Sequence, residues 1–288
     1  MAAPLVVGDG AGMTLPAGFP FIKMSGSGND FVFFDVRSAG SHPFGDPASI
    51  RALCARGTGI GADGLVLLDP SSSAMFAMQY FNADGTLASL CGNATLCAAR
   101  LGVELGIVSP EQGNAGFCFD TGVGPVQAWV RDVGRPEIEL APPEALRGTL
   151  PDAVHPRRDE LRAGFVQIGV PHVVILCDDA EMARVLERGP ELRRHAAFPH
   201  GANVNFVSRD GDGWRYRTFE RGVENETLAC GTGAAACALL LAHWQEGRGP
   251  FRMRTSSGTS LDVLLPSASS ARPRLRGDAR MVFRGELG

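Results

Sequence analysis

Short apolar runs bounded by turn residues recur along the chain, and their length is typical of β-strands. The predicted strands are Phe31–Val36, Gly64–Leu68, Phe76–Phe81, Val126–Val130, Phe165–Ile168, Val173–Cys177, Arg215–Phe219, Leu261–Leu265 and Arg280–Phe283. The predicted helices are Pro47–Ala55, Cys91–Leu105, Asp179–Glu187 and Cys230–Gln245. Because strands outnumber helices, the pattern predicts a mixed α/β protein with mostly antiparallel sheets, each wrapped on one central helix.

An internal repeat organises the chain into two halves. Residues 81–98 and 219–238 both run from phenylalanine through a polar turn, Thr-Leu-Ala and Cys-Gly to small residues and Cys-Ala, and both enter a predicted helix. A weaker similarity precedes these blocks, between residues 26–31 and 201–206. The repeat therefore predicts two similar domains.

The ends of these domains are marked by composition. A proline-containing stretch at 139–143 follows the first complete unit, and we expect the domain boundary there. Residues 1–18 are rich in Gly, Pro and Ala, without the basic and apolar regions of a secretory signal, and we expect a flexible extension. The last predicted strand is compatible with either half.

Composition excludes several classes of partner. The chain has 288 residues, 44% of them hydrophobic and 20% charged, which is typical of a folded globular protein. Its 27 basic and 31 acidic residues give a net charge of -4, so we expect no nucleic-acid partner. No apolar run reaches the ~18 residues of a membrane span. An odd number of cysteines, seven, favours free thiols in a reducing cytoplasm.

The two Cys-Gly pairs carry the candidate chemistry. Cys91 and Cys230 each precede small residues that begin an Ala-rich helix. The N-terminus of a helix favours the thiolate and lowers the pKa of a cysteine from its usual ~8.5. The same turn supplies N–H groups that bind an anion such as a carboxylate. These N–H groups belong to Gly92, Asn93, Gly231 and Thr232.

A carbon held between two opposed thiols inverts its configuration when one thiolate removes a proton and the other thiol returns one on the opposite face. A duplicated chain suits this chemistry, because the two thiols exchange roles with the handedness of the substrate. The sequence contains no cofactor motif, so we expect no cofactor and no metal. Hydrogen-bond donors aimed at the carboxylate must then stabilise the carbanion.

Simpler interpretations compete with this one. A lone cysteine at the start of an Ala-rich helix is more often a core residue than a catalyst, and we expect Cys97 and Cys237 to be core residues. A zinc site made of four cysteines is disfavoured, because Cys97 lies six residues after Cys91 and Cys237 seven after Cys230, whereas zinc sites use C-x2-4-C spacing. The segment 26–30 lacks the lysine of a phosphate loop. For His172, an acid/base role and a half-buried structural role remain equal alternatives.

Taken together, the motifs resemble the diaminopimelate epimerase family of PLP-independent amino-acid epimerases. The matching segments are Lys23–Phe31, Gly59–Gly64, Phe81–Gly85, Cys91–Asn93, Gly169–His172, Asn203–Phe206, Glu220–Gly222 and Cys230–Gly233. Together they extend over nearly the whole chain.

The resemblance implies two pseudo-symmetric domains, each a curved, mostly antiparallel sheet or barrel around a central helix, with the active site in the cleft between them. The first domain would comprise residues 19–139 and 275–288, and the second residues 140–274. The implied reaction is the interconversion of LL- and meso-2,6-diaminopimelate in lysine and peptidoglycan biosynthesis. It needs a small-molecule substrate and no cofactor; a homodimer is left open.

The resemblance also implies roles for individual residues. Cys91 and Cys230 would be the base and acid, with His172 and Glu220 close to them. The reacting end of the substrate would be held by Asn29 and by the N–H groups of Gly92, Asn93, Gly231 and Thr232. The distal end would be held by Asn82, Asn203 and Arg221. Glu220 would also contact the substrate.

Some positions depart from the common family pattern. Gly64 and Val170 replace the Gln and Asn of many members, and Ala94 and Leu96 replace Gly and Arg. These changes remove polar contacts and keep both thiols. One alternative is an enzyme of a related fold, either a proline or hydroxyproline racemase or an isomerase with one acid/base carboxylate. The other is a binding protein without activity. The thiol pair with Arg221 favours diaminopimelate, because arginine pairs with a distal carboxylate that proline lacks.

Overall fold

The computed structural model describes residues 6–7, 13–40, 42–266 and 272–288. The strands are β1 (Val6–Val7), β2 (Met13–Thr14), β3 (Pro20–Gly26), β4 (Asn29–Asp35), β5 (Gly64–Asp69), β6 (Ala77–Asn82), β7 (Leu87–Ala88), β8 (Phe117–Thr121), β9 (Gly124–Trp129), β10 (Glu137–Glu139), β11 (Glu144–Arg147), β12 (Glu160–Ile168), β13 (Val170–Cys177), β14 (Asn203–Asp210), β15 (Gly213–Glu220), β16 (Asn225–Thr227), β17 (Phe251–Arg254), β18 (Ser260–Leu264), β19 (Arg274–Arg276) and β20 (Ala279–Glu286). The helices are α1 (Pro47–Cys54), α2 (Gly92–Glu104), α3 (Pro110–Ala115), α4 (Val185–Arg193) and α5 (Gly231–His243).

These elements confirm the predicted mixed α/β class, in which strands predominate. The chain divides into two compact units: Met1–Ile138 with Asp278–Gly288, and Glu139–Gly277. The predicted extension at 1–18 lies largely outside the described residues; within it β1 pairs antiparallel with β2. Among the helices that the structure describes, none is both long and apolar enough to cross a bilayer.

The sheet of the first unit is built on β3, β4, β5 and β6. The strands β3 and β4 form an antiparallel hairpin, β4 runs parallel to β5, and β5 runs antiparallel to β6. The last strand, β20, pairs with β3. Helix α1 follows β4 and begins at an N-cap, Asp46, whose carboxylate accepts the N–H of Ser49. Side chains from both sheet and helix, such as Phe34, Leu65 and Ile50, form one buried cluster.

The second unit repeats this order of strands. The strands β12 and β13 form an antiparallel hairpin, β13 runs parallel to β14, and β14 runs antiparallel to β15. Helix α5 packs against β12 to β15, where α2 in the first unit packs against β3 and β6. Small residues allow this close packing, because glycine and alanine make up most of the buried positions of α5.

The strand registers fix which positions of the two units are equivalent. Phe31 lies opposite Gly64 in the first unit, and His172 lies opposite Asn203 in the second. The equivalent of residues 29–31 is therefore 170–172. The predicted similarity between 26–31 and 201–206 paired the wrong segments. Glycine and asparagine are common at many strand entries, so a short similarity of this kind does not fix the register.

The helix predicted at Asp179–Glu187 is also wrong in position, since α4 spans Val185–Arg193. The preceding loop has other partners for its backbone. Nη1 of Arg217 donates to the carbonyl oxygens of Ala180, Glu181 and Ala183. These carbonyl groups are held by a side chain, and the segment forms a loop in place of a helical turn.

Candidate active site

The two cysteines of the Cys-Gly pairs occupy the same local structure. Cys91 is the N-cap of α2, with φ -130° and ψ 114°, and Cys230 is the N-cap of α5, with φ -130° and ψ 109°. The first bonds that close each helix run from the N–H of Thr95 to Cys91 and from the N–H of Ala234 to Cys230. The earlier N–H groups of each helix have no partner within the helix and suit a bound anion.

The sulfur of Cys230 already has a donor from this turn. Its Sγ accepts the N–H of Gly233 at 3.4 Å and lies 3.6 Å from Oγ1 of Thr232. Cys230 is buried, whereas Cys91 is partly exposed. An N–H directed at sulfur stabilises negative charge there, as a thiolate requires.

Two other cysteines belong to the core. Cys97 and Cys237 follow Cys91 and Cys230 on the same helices, and both are fully buried, as predicted. Burial raises the pKa of both thiols well above the usual value. They therefore stay protonated and serve packing.

In the first unit, a chain of hydrogen bonds holds two of the predicted binding residues. Nδ2 of Asn93 donates to Oδ1 of Asn29 at 2.7 Å, and Nδ2 of Asn29 donates to Oδ2 of Asp63 at 3.0 Å. Nη2 of Arg56 forms an ion pair with the other carboxylate oxygen of Asp63 at 2.7 Å. These hydrogen bonds fix the orientation of the Asn29 and Asn93 carboxamides before any ligand binds.

This series of hydrogen bonds ends at an acceptor, Oδ1 of Asn93. Asn93 is 2% exposed, and its Oδ1 has no hydrogen-bond partner among the residues that the structure describes. A buried carbonyl oxygen without a partner is unfavourable by about 1–3 kcal/mol. The first turn of α2 thus offers a buried acceptor beside its N–H donors.

A second ion-pair group supports the same strand entry. The carboxylate of Asp30 pairs with Lys23 and with Arg56, each at 2.6 Å. Burial raises the pKa of Asp30, but the hydrogen bonds from Arg56 and Lys23 outweigh it and lower the pKa below its usual value. The loop before β5 is therefore tied to β3 and β4.

Asn82 lies at the end of β6, directly opposite Gly64. Its Nδ2 donates to Oγ1 of Thr86 at 3.0 Å. A Cβ at Gly64 would lie 2.5 Å from the ring of Tyr80 and 2.6 Å from the carbonyl oxygen of Phe81. Tyr80 therefore fills the space that a side chain at position 64 would need, which explains why this chain carries glycine there.

In the second unit, His172 belongs to a group of hydrogen-bonded side chains with Asn205 and Thr218. Its Nδ1 lies 3.2 Å from Nδ2 of Asn205, whose Oδ1 accepts the hydroxyl of Thr218 at 2.8 Å. Because Nδ2 of Asn205 is a donor, Nδ1 of His172 is the acceptor and the ring proton sits on Nε2. That Nε2 is buried and has no partner within the described ranges.

The structure corrects the half-buried alternative for His172, because the residue is 0% exposed. Burial, with a smaller effect from the charge of Arg221, lowers the pKa of His172 to about 3. The imidazole is therefore neutral near pH 7 and presents one N–H donor. Gly233 makes room for the supporting Asn205, since a Cβ there would lie 2.5 Å from Oδ1 of Asn205.

The other predicted residues of the second unit lie near the end of β15. Oδ1 of Asn203 accepts the backbone N–H of Arg221 at 2.8 Å, and Nη1 of Arg221 donates to the carbonyl oxygen of His200 at 2.9 Å. Oε2 of Glu220 accepts the hydroxyl of Thr227 at 2.8 Å. Burial raises the pKa of Glu220 above its usual value, although the Thr227 hydrogen bond opposes the change.

Hydrogen bonds join the predicted residues Asn29 and Asn93 in the first unit, and Asn203 and Arg221 in the second. That His172 and Glu220 lie close to the thiols stays a prediction. Sequence reasoning missed the residues that orient the predicted ones, namely Arg56 and Asp63 in the first unit and Asn205, Thr218 and Tyr216 in the second. Asp63 and Asn205 lay inside matched motifs, but nothing in the sequence showed which side chains they would contact.

The sequence of this protein is similar to the sequences of known proteins along most of its length. The family model described as Diaminopimelate epimerase matches residues 21–140 and 164–264. A diaminopimelate epimerase from Gemmatimonas aurantiaca is 48% identical over 279 residues, 93% of this chain and 98% of that protein. One from Aquifex aeolicus is 38% identical, with 93% and 97% covered.

Among solved structures, a phenazine biosynthesis protein of the PhzF family from Bacillus anthracis superposes with a TM-score of 0.70. Its identity is 14%, with 95% of this chain and 100% of that chain covered. At that identity the likeness establishes the fold alone. The family follows from the sequence matches, which extend over both cysteine-bearing units: the chain belongs to the diaminopimelate epimerase family.

Proposed function

We propose that this protein interconverts LL- and meso-2,6-diaminopimelate, without a cofactor, on the route to lysine and peptidoglycan precursors. The observation that carries the proposal is the matched N-cap geometry of Cys91 and Cys230, one in each unit of a duplicated chain. Family membership supports the substrate. The proposed location is the cytoplasm, where thiols stay reduced.

The proposed reaction uses one thiol from each unit. A thiolate at one helix N-terminus removes the α-proton, and the electron pair of the C–H bond passes into the carboxylate as an enediolate. The thiol of the other cysteine then gives its proton to the opposite face of the same carbon. The two sulfurs exchange protonation states in each turnover, so the reverse reaction starts from the opposite state.

The N-terminal turns of α2 and α5 suit the binding of the reacting carboxylate. We assign this role to the N–H groups of Gly92, Asn93, Gly231 and Thr232. These donors strengthen their hydrogen bonds as the carboxylate gains charge, which lowers the barrier to proton removal. The fixed turns need no reorganisation during the reaction.

The neighbouring side chains would orient the α-amino group. Asn29 is held by Asp63 and Asn93, and the buried Oδ1 of Asn93 is an acceptor suited to an ammonium group. Glu220 is a second candidate acceptor. His172 is proposed as a neutral Nε2–H donor to the substrate and not as a proton carrier, since its pKa is about 3.

The distal end of the substrate carries a second amino acid group. We assign its recognition to Asn82, Asn203 and Arg221. Arg221 uses one of its five N–H donors on His200, which leaves others for a carboxylate. A monocarboxylate substrate cannot make this contact.

A panel of substrates tests the proposal. Purified protein would be incubated separately with LL-diaminopimelate, meso-diaminopimelate, L-proline, trans-4-hydroxy-L-proline and L-lysine, and the stereoisomers separated by chiral chromatography. We expect interconversion of the two diaminopimelate isomers alone. Racemisation of proline without any reaction of diaminopimelate would contradict the proposal and show that the protein is a proline racemase.

A further inference from the structure

The side chain of Tyr216 contacts both polar groups of the Cys230 backbone. Its hydroxyl donates to the carbonyl oxygen of Cys230 at 2.9 Å and accepts the N–H of Cys230 at 3.2 Å. Tyr216 is 1% exposed, so these bonds are shielded from water. One hydroxyl thus holds both sides of the N-cap residue of α5.

The first unit holds its cysteine differently. The strand registers make Met78 the equivalent of Tyr216, because Met78 lies opposite Leu68 and Tyr216 opposite Val207. The carbonyl oxygen of Cys91 instead accepts the hydroxyl of Thr95 at 2.8 Å.

In α5 the position of Thr95 is taken by Ala234. In each unit a hydroxyl donates to the carbonyl oxygen of the N-cap cysteine, but the hydroxyl comes from the helix in the first unit and from the strand in the second.

The hydroxyl of Tyr216 stays protonated. Burial, together with the nearby Cys230, raises its pKa well above the usual value. It can therefore donate to the carbonyl throughout the neutral range. Without it, the buried N–H of Cys230 would lose this acceptor, which is unfavourable inside a protein.

We propose that Tyr216 is a positioning residue for Cys230, whose hydroxyl fixes the N-cap backbone and so keeps Sγ against the N–H of Gly233. The kinetic part of this inference rests on the proposed function; the effect on thiol reactivity does not. Loss of the hydroxyl frees the extended backbone of Cys230, weakens the contact between the N–H of Gly233 and sulfur, and disfavours the thiolate. Cys91 has its own support and is unaffected.

Alkylation of the individual thiols tests this inference. The full-length wild type, Tyr216→Phe, and two controls would react with iodoacetamide between pH 6 and 9, and peptide mass spectrometry would give a rate for each cysteine. The first control, Tyr80→Phe, removes the hydroxyl of the chain's one other tyrosine. The second control, Thr95→Val, removes the equivalent support in the first unit.

We expect Tyr216→Phe to slow alkylation of Cys230 about tenfold at pH 7, to shift its pH profile upward, and to leave Cys91 within about twofold of wild type. Thr95→Val should slow Cys91 and spare Cys230, and Tyr80→Phe should spare Cys230. An unchanged Cys230 rate in folded Tyr216→Phe, or an equal change at both cysteines, would overturn the proposal.

A second variant covers the case in which Tyr216→Phe folds poorly by circular dichroism. Tyr216→Met with Ala234→Thr copies the residues of the first unit and supplies a new hydroxyl for the Cys230 carbonyl. We expect this variant to alkylate Cys230 within about threefold of wild type, and Tyr216→Met alone to be slow. Equal rates in the single and double variants would contradict the inference.

Turnover of diaminopimelate separates this inference from the proposed function. If both hold, Tyr216→Phe lowers kcat and leaves KM nearly unchanged. If the wild type turns over no diaminopimelate while the alkylation rates behave as expected, the proposed function fails and the positioning role stands. If turnover is normal in both proteins and alkylation is unchanged, the positioning role alone fails.

Discussion

The carboxamides of Asn29 and Asn93 are joined by a hydrogen bond of 2.7 Å, although 64 positions separate them in the sequence. The bond links the start of β4 to the first turn of α2, next to Cys91. Asp63, from the entry to β5, holds the other end of Asn29. Three separate segments therefore determine the orientation of one acceptor.

Removal of Asp63 should disturb this arrangement without touching a thiol. In Asp63→Ala, the carboxamide of Asn29 loses its acceptor and can rotate, which misplaces Asn93. We expect kcat/KM for diaminopimelate to fall about 10- to 100-fold, as small misplacements of reacting groups do. Steady-state kinetics in both directions would measure the loss.

Asp69→Ala is the matched control, because Asp69 lies at the end of β5, the strand that Asp63 directly precedes, and contacts the exposed side chain of Gln79. We expect this control to keep wild-type kinetics. A similar loss in both variants would mean that β5 is generally sensitive to the removal of a carboxylate, and the orienting role of Asp63 would be wrong.

His172 should make stability depend on pH. Its pKa is about 3 in the folded protein and 6.5 for the unperturbed group, so below pH 6.5 the unfolded state binds a proton that the folded state does not. This contribution is fully present above pH 6.5 and is lost as the pH falls towards 3. Between pH 7 and pH 5 the loss is about 2 kcal/mol.

Urea unfolding of wild type and His172→Gln at both pH values measures this contribution, because all other groups titrate alike in the two proteins. We expect the stability advantage of the wild type to shrink by about 2 kcal/mol at pH 5. An advantage that is constant or grows on acidification would show that His172 is protonated in the folded protein.

Gly64 should not tolerate a side chain. A Cβ there would meet the ring of Tyr80 and the carbonyl oxygen of Phe81, so Gly64→Ala should destabilise the protein by about 1–3 kcal/mol. Chemical denaturation would measure this change. Gly40→Ala is the control, because a Cβ at Gly40 meets no atom within 4 Å. If Gly64→Ala were as stable as that control, Tyr80 would not be what fills this position.

Arg221 should determine the preference for a second carboxylate. Under the proposed assignment, Arg221→Met leaves the distal carboxylate without a charged partner. The transition state should lose about 2–4 kcal/mol of stabilisation, so kcat/KM should fall roughly 30- to 1,000-fold. Arg158→Met, at an exposed arginine, is the control. Unchanged kinetics in Arg221→Met would remove the assigned distal contact while leaving the thiol chemistry intact.

The sequence predicted much of the framework for clear physical reasons. Apolar runs of strand length predicted β5, β13 and β15, and the repeated Cys-Gly motif predicted two cysteines at helix N-termini. Strands such as β3 and β14 went unrecognised, because the polar Lys23, Asn203 and Asn205 interrupt the apolar pattern. Those polar residues are buried because they bind partners from distant segments, which periodicity does not reveal.

In the candidate active site, too, only the features that depend on local sequence were predictable. The N-cap positions of Cys91 and Cys230 follow from local sequence, so they were predictable. The support of Cys230 by Tyr216 depends on a strand register, and the neutral state of His172 depends on complete burial. Neither feature has a local signature, and both required the fold.

Two cysteines that act on opposite faces of one carbon leave an isotopic signature when the reaction runs in D2O. The most direct measurement is the early time course of LL-diaminopimelate in D2O with the wild-type protein, followed by mass spectrometry of the separated isomers. Cys91→Ala and Cys230→Ala, measured in parallel, link the result to the two thiols.

We expect newly formed meso-diaminopimelate to carry one α-deuterium from the first turnovers, and the remaining LL-isomer to stay unlabelled. Each cysteine variant should lose epimerisation and keep its fold. Unlabelled product, equal labelling of substrate and product from the outset, or near-normal turnover in either variant would contradict the two-thiol mechanism.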